Sequence, residues 1–220
     1  EARGLVTWHA SAARRALRFA HPLFAEVVRE SLSPPRRAQV AADLVDALAS
    51  TSTRRRDDDV LIAVLRLAEG LPGTAQEFET AARVAGSRAD LGLAERLARA
   101  ACAVDGGYAS RVLLADVLYW AGRHEDLVAL LQEPSEPGAD RALVARAGLL
   151  IASSLYWGLG RFDEADEHLR NTIADVGHPE ALELLVTGDT YRWAHRARVW
   201  KLGWRNLHHK TATIQAEFNI

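Results

Sequence analysis

Apolar positions recur at helical spacing along most of this chain and gather into short runs only near its start. Residues 5–8 (Leu-Val-Thr-Trp) and 16–20 (Ala-Leu-Arg-Phe-Ala) are two such runs, separated by a polar, alanine-rich link. Together they predict a β-hairpin. Leu23, Phe24, Val27 and Val28 then return every three to four positions, with Glu26, Arg29 and Glu30 on the other side, which predicts an amphipathic helix. Ser33-Pro34-Pro35 stops that helix and opens the next, with Ser33 as its candidate cap. Val40, Ala41, Leu44, Val45 and Leu48 form the second stripe. Hairpin and two helices make one compact unit over residues 1–50.

Residues 51–59 read as a linker that ends in Arg54-Arg55-Arg56-Asp57-Asp58-Asp59. Three arginines followed by three aspartates suit a solvated segment. The acids also suit the first turn of a helix that starts near Val60, where they face its positive dipole end. From 60 to 203 the pattern is helical. Val60, Leu61, Val64, Leu65 and Ala68 make one stripe, ended by Gly70-Leu71-Pro72-Gly73. Phe78, Ala81, Ala82 and Ala85 make another, ending near Gly86. Further helices are expected over 91–104, 108–121, 124–132, 139–158, 162–175 and 179–200. Short helices with short joints predict stacked antiparallel pairs.

An internal repeat supports the stacking. Leu118-Tyr119-Trp120-Ala121-Gly122-Arg123-His124-Glu125-Asp126-Leu127 matches Leu155-Tyr156-Trp157-Gly158-Leu159-Gly160-Arg161-Phe162-Asp163-Glu164-Ala165, with one residue inserted after the aromatics. A weaker earlier copy ends its first helix at Gly86 and carries Ala94 and Leu97 on its second. The period is close to the roughly 34 residues of tetratricopeptide units. In physical terms a glycine closes the first helix and His124 or Phe162 wedges the turn. A small or apolar residue then lets the second helix pack closely, and each pair needs a neighbour to bury its stripe. Residues 204–220 break this texture and form an atypical tail.

Composition narrows the function classes. The 220 residues are 49% hydrophobic and 25% charged, with a net charge of -2. That balance is enough for a core and lacks the concentrated basic face of a nucleic-acid binder. No apolar run is long enough to span a bilayer, so no membrane contact is expected. The single cysteine, Cys102, shares a helix with Leu97, Ala98 and Ala101 and reads as a small hydrophobe. One free thiol fits a cytoplasmic protein. The absence of methionine and the start at Glu1 suggest a segment of a longer protein.

Chemistry is sparse. There is no His-Glu-x-x-His, no Cys-x-x-Cys and no Gly-x-Ser-x-Gly elbow. No catalytic residue and no metal site are therefore assigned, and His208-His209 reads as part of the tail. Acid pairs such as Glu125-Asp126 and Asp163-Glu164 sit at helix starts, where the dipole explains them. Two features carry more. His21 ends the hairpin just before Pro22, and proline fits the first helical turn. That seats the imidazole beside the exposed N–H groups of a new helix, where an anion or phosphate can bind; the simpler alternative is a cap or packing role. The second feature is Tyr119-Trp120 and Tyr156-Trp157. Neighbours on a helix face different ways, so one of each pair packs inside and the other can reach a concave groove. With Arg123 and Arg161 they would form an aromatic and cationic surface for a peptide or effector; simple packing between repeats is the alternative.

Residues 18–32, Arg-Phe-Ala-His-Pro-Leu-Phe-Ala-Glu-Val-Val-Arg-Glu-Ser-Leu, and the Ser-Pro-Pro-Arg-Arg that follows resemble the segment after the ATPase module in large ATP-binding LuxR-type transcriptional regulators of the STAND class. The resemblance covers roughly residues 3–200. It implies a mainly α protein: a short winged-helix-like β-hairpin plus helices over 1–50, then a tetratricopeptide-like α-solenoid over 60–203. It implies that His21 approaches the β-phosphate of ADP in the intact parent, holding a closed state. It also implies two partners, the ATPase module itself and an inducer or protein on the helical arm. This chain carries no phosphate-binding Gly-x-x-x-x-Gly-Lys-Ser/Thr loop, no acidic Walker B strand and no DNA-reading helix-turn-helix. The expectation is a non-catalytic part that needs no cofactor of its own, takes ATP or ADP only through its parent, and makes no direct DNA contact. The competing expectation is a stand-alone tetratricopeptide-like adaptor for a peptide or protein.

Overall fold

The computed structural model describes residues 6–11, 14–50, 56–105, 107–133, 135–136 and 138–177. The predicted helix over 179–200 and the 204–220 tail lie outside the described residues. The rest is mainly helical, with one hairpin at its start.

Strands β1 (Val6–Ser11) and β2 (Arg14–Phe19) pair antiparallel, with Val6 opposite Phe19 and Ser11 opposite Arg14. Both strands are longer than the predicted runs and the link between them is shorter. Helix α1 (Pro22–Ser31) follows, then α2 (Pro34–Ala49). Ser33 is the N-cap residue of α2 but makes no capping hydrogen bond through its side chain; Pro34 at the first position has no N–H to satisfy.

The expected winged-helix unit over 1–50 is not what forms. A winged helix buries its helices against its own sheet, whereas α1 touches β2 at its start and buries none of its residues. Helix α2 packs instead on α3 (Arg56–Glu69), burying Ala41 and Val45, and Arg37 reaches Glu69 across the pair at 3.6 Å. The second helix of the supposed module is therefore the first helix of the stack. The 51–59 linker shortens in the same way. Asp57, Asp58 and Asp59 lie inside the first turn of α3, where the dipole favours them, and Asp57 pairs with Arg88.

The stack continues through α4 (Ala75–Ser87), α5 (Leu91–Asp105), α6 (Tyr108–Trp120), α7 (His124–Leu131), α8 (Arg141–Ser153) and α9 (Phe162–Val176). Each helix packs on the next, and α4, α6 and α8 also contact one another in sequence. Thr74 and Glu77 form a reciprocal capping box at α4, and Glu77 also receives Arg66 from α3 at 2.8 Å. Core positions repeat from pair to pair. Ala94, Leu127 and Ala165 are each fully enclosed, three residues after the start of α5, α7 and α9. Four residues later Ala98, Leu131 and Leu169 are buried as well. Small and large residues alternate at one repeat position, as expected where neighbouring layers interdigitate.

The turns that close the repeats share one geometry. Gly122 and Gly160 are left-handed, at φ 72° and 68°, and so is Ala89 at φ 60° in the first copy. The closing residue of that copy is thus Ala89 and not Gly86, which lies within α4. Asp90 N–H bonds to the Ala85 carbonyl and Arg123 N–H to the Leu118 carbonyl, both spanning five residues, as in a Schellman cap. In the third copy Arg161 N–H bonds to the Leu155 carbonyl, spanning six. The extra residue is absorbed by a π-helical turn over Ser154–Gly158, so the predicted helix over 139–158 changes pitch at its end.

Candidate functional site

His21 is the N-cap residue of α1. Its backbone is extended, at φ -139° and ψ 139°, and its Nδ1 accepts the Leu23 N–H at 3.2 Å. The ring is exposed and lies edge-on to Phe24, with centroids 6.1 Å apart. The capping bond has a chemical consequence. A nitrogen that accepts carries no proton, so the neutral ring holds its proton on Nε2. His21 thus caps its helix with one nitrogen and presents a donor with the other.

The paired aromatics have split fates. In the second copy Tyr119 packs edge-on against Trp120 and the His124 ring, with centroids at 5.5 and 5.6 Å. In the third, Tyr156 packs the same way against Trp157 and Phe162, at 4.6 and 4.8 Å. His124 and Phe162 are the wedges that the repeat requires. Tyr156 is buried, and burial pushes its hydroxyl above the usual tyrosine range. Trp157 is half-buried, while Trp120 is 49% exposed.

Both arginines are paired with acids. Arg123 donates from Nε to Asp126 at 2.6 Å and from Nη1 to Glu95 at 2.5 Å. Glu95 is held below the usual carboxylate range, first by a hydrogen bond from Arg99 and further by the charge of Arg123, against an opposing push from burial. Arg161 donates from Nε to Glu164 at 2.7 Å and pairs with it again through Nη2. Both guanidiniums therefore lock the starts of α7 and α9 to nearby acids.

Trp120 belongs to a groove that opens between α4 and α6, with a volume of about 520 Å³. That size falls within the usual range for ligand pockets, roughly 300–1,000 Å³. Ala82, Gly86 and Ala89 line one side, and Leu113, Val117 and Trp120 the other. Arg83 and Asp116 stand on opposite walls. Arg83 donates to Glu79 at 3.2 Å, and Glu79, buried, also accepts from Ser110 of α6 at 2.5 Å. Asp116 accepts through Oδ1 from Arg146 of α8 at 2.5 Å. Of the six residues expected to bind a partner (Tyr119, Trp120, Arg123, Tyr156, Trp157 and Arg161), Trp120 alone lines this groove. The sequence reading passed over Arg83 and Asp116 and took Gly86 for a helix end. The signal for them was present: Asp116 lies one turn before Trp120, and Gly86 is an odd residue for a helix interior.

Cys102 is half-buried against the core and its thiol is pushed up by burial, as fits an inert packing residue. Among the described residues no group of histidine, cysteine and acidic side chains has the arrangement of a metal site, and no helix is long and apolar enough to cross a membrane. Compared with known proteins, the chain matches no family model, no curated protein and no solved structure.

Proposed function

We propose that this chain is a non-catalytic part of an ATP-dependent LuxR-type regulator: the end of a nucleotide-switch module joined to a tetratricopeptide-like arm. On this reading the arm receives an inducer or protein partner, and the hairpin with α1 faces the ATPase module. The observation that carries the reading is where apolar surface stays uncovered. Ten large hydrophobic residues among the described ones are exposed, and Phe19, Leu23, Phe24, Val27, Val28, Val40 and Leu44 account for seven. Exposed apolar residues concentrated on one stretch of chain favour a docking face there. His21 stands at the edge of that face with Nε2 free to donate to a phosphate oxygen of ADP held by the neighbouring module. ADP would then stabilise a closed state, and a ligand that prefers the open state would release it. The protein would act in the cytoplasm, without touching DNA or membrane itself.

The groove at Trp120 serves equally well in a plain adaptor with no nucleotide link, and His21 separates the two readings. Asparagine caps a helix as well as any residue but has no second ring nitrogen. In the parent protein, His21→Asn is expected to keep α1 intact, release ADP faster and raise basal transcription. ADP retention and basal transcription equal to the wild type would reduce His21 to a cap and leave the adaptor.

A further inference from the structure

The α4–α6 groove has a chemistry of its own, and reading it rests on the view of the array as a partner-binding arm. Its floor is made of small residues. A Cβ added to Gly86 would meet nothing within 4 Å, so open space lies above that position. Glycine within a helix costs stability relative to alanine, and here it leaves room for a guest. Trp120 supplies a large, half-exposed apolar wall.

The charges decide what the guest is. Arg83 and Asp116 stand on opposite walls, each with a protein partner, so the groove offers no net charge to an ion. A charged side chain entering it would lose water and gain no free counter-ion, which is unfavourable. Hydrogen-bonding capacity does remain on both walls. Arg83 uses Nη2 on Glu79, and Asp116 accepts through Oδ1; among the described residues Oδ2 accepts nothing. One wall thus has donors to spare and the other an acceptor. A peptide group carries one acceptor and one donor and complements both.

We propose that this groove seats an uncharged, bulky apolar side chain from an extended segment of a partner protein, whose backbone amide bridges Arg83 and Asp116. The backbone N–H would donate to Asp116 Oδ2, and the carbonyl would accept from Arg83. The apolar side chain would lie over Gly86 against Trp120.

The test uses the full chain and four peptides, acetyl-Ala-Ala-X-Ala-Ala-amide with X as Phe, Leu, Lys or Glu. Calorimetry gives Kd, and the indole N–H resonance of Trp120 locates the site. The Phe and Leu peptides are expected to shift that resonance and bind at least tenfold more tightly than the Lys and Glu peptides. Gly86→Leu fills the open space and should abolish binding without lowering Tm. If it lowers Tm, Trp120→Ala carries the same test at an exposed position. Charged peptides that bind as tightly, binding that survives both variants, or no shift at Trp120 with any peptide would each overturn the proposal. Such a failure is distinct from a failure of the switch reading, which is decided by ADP retention at His21.

Discussion

Helix α1 carries a cleaner apolar stripe than helix α7, yet the two end in opposite states. On α7 Leu127 is fully enclosed and Leu131 nearly so, because α6, α8 and the π-helical turn close around them. On α1 Leu23, Phe24, Val27 and Val28 are all exposed, and among the described elements β2 is its main neighbour. Periodicity reports that a helix has a face to bury. It does not report whether the burying surface is part of the same chain. In a repeat array the partner is the adjacent repeat, supplied by the same pattern 33 to 38 positions away, as the left-handed residues Ala89, Gly122 and Gly160 show. In α1 no such neighbour exists among the described residues.

The contrast can be broken by truncation. Leu127→Ala removes a fully enclosed side chain and is expected to cost about 2–5 kcal/mol, through lost burial and the cavity left behind. Val27→Ala, at a position 62% exposed, should change stability by less than about 0.5 kcal/mol. Denaturant titration of the two variants beside the wild type measures both. A Val27→Ala cost that approaches the Leu127→Ala cost would mean that α1 is covered, and the docking face would be lost with it.

What the sequence made legible follows from this locality. The described helices depend on residues within a few positions of one another and could be read directly; the repeat showed as self-similarity, and the cap at His21 stood as the simpler alternative to a phosphate contact. The inserted residue in the third copy was visible, but its π-helical accommodation depends on bonds that only the closed turn shows. The placement of α2 with α3 was hidden, because the Ser50–Asp59 stretch looks like a boundary while Ala41 and Val45 say nothing about which helix they will meet. The groove was half visible. Trp120 stood out by residue type, whereas Arg83 and Asp116 became notable only when α4 and α6 came side by side. Arg123 and Arg161 stood out beside the aromatics, whereas their acidic partners Glu95, Asp126 and Glu164 became evident only with the helices in place.

The wedge sharpens the comparison from the side of the array. The His124 ring lies against Gly158 in the π-helical turn and meets Ser154 Oγ through Nδ1 at 3.3 Å. A Cβ at Gly158 would fall 2.2 Å from that ring, so the ring or the turn must move. Gly158→Ala is expected to cost about 1–3 kcal/mol, the usual range for overpacking a closed site. Gly86→Ala, with empty space above it, should instead gain about 0.5–1 kcal/mol from better helix propensity. Thermal melts of the two alanine variants should move in opposite directions. Melts that move together would show that the turn adapts and that the π-helical segment is not locked by His124.

The smallest effect concerns α9, the last described helix of the array. His168 on α9 occupies the repeat position held by Leu97 on α5 and Leu130 on α7. Its Nε2 is buried without a hydrogen-bond partner among the described residues, and burial lowers its affinity for a proton below the ordinary value of 6.5. The folded protein therefore keeps this ring neutral at a pH where the unfolded chain has begun to protonate it. The unfolded state binds more protons in that window, so stability rises with pH through it. The contribution is complete above about pH 6.5 and is lost as the pH falls below that value toward the lowered one in the folded state. His168→Leu restores the residue type of the other two copies and should flatten the Tm profile between neutral and mildly acidic pH. If the variant keeps the slope of the wild type, carboxylates carry the acid sensitivity, and the histidine is as well tolerated in the repeat as the leucines it replaces.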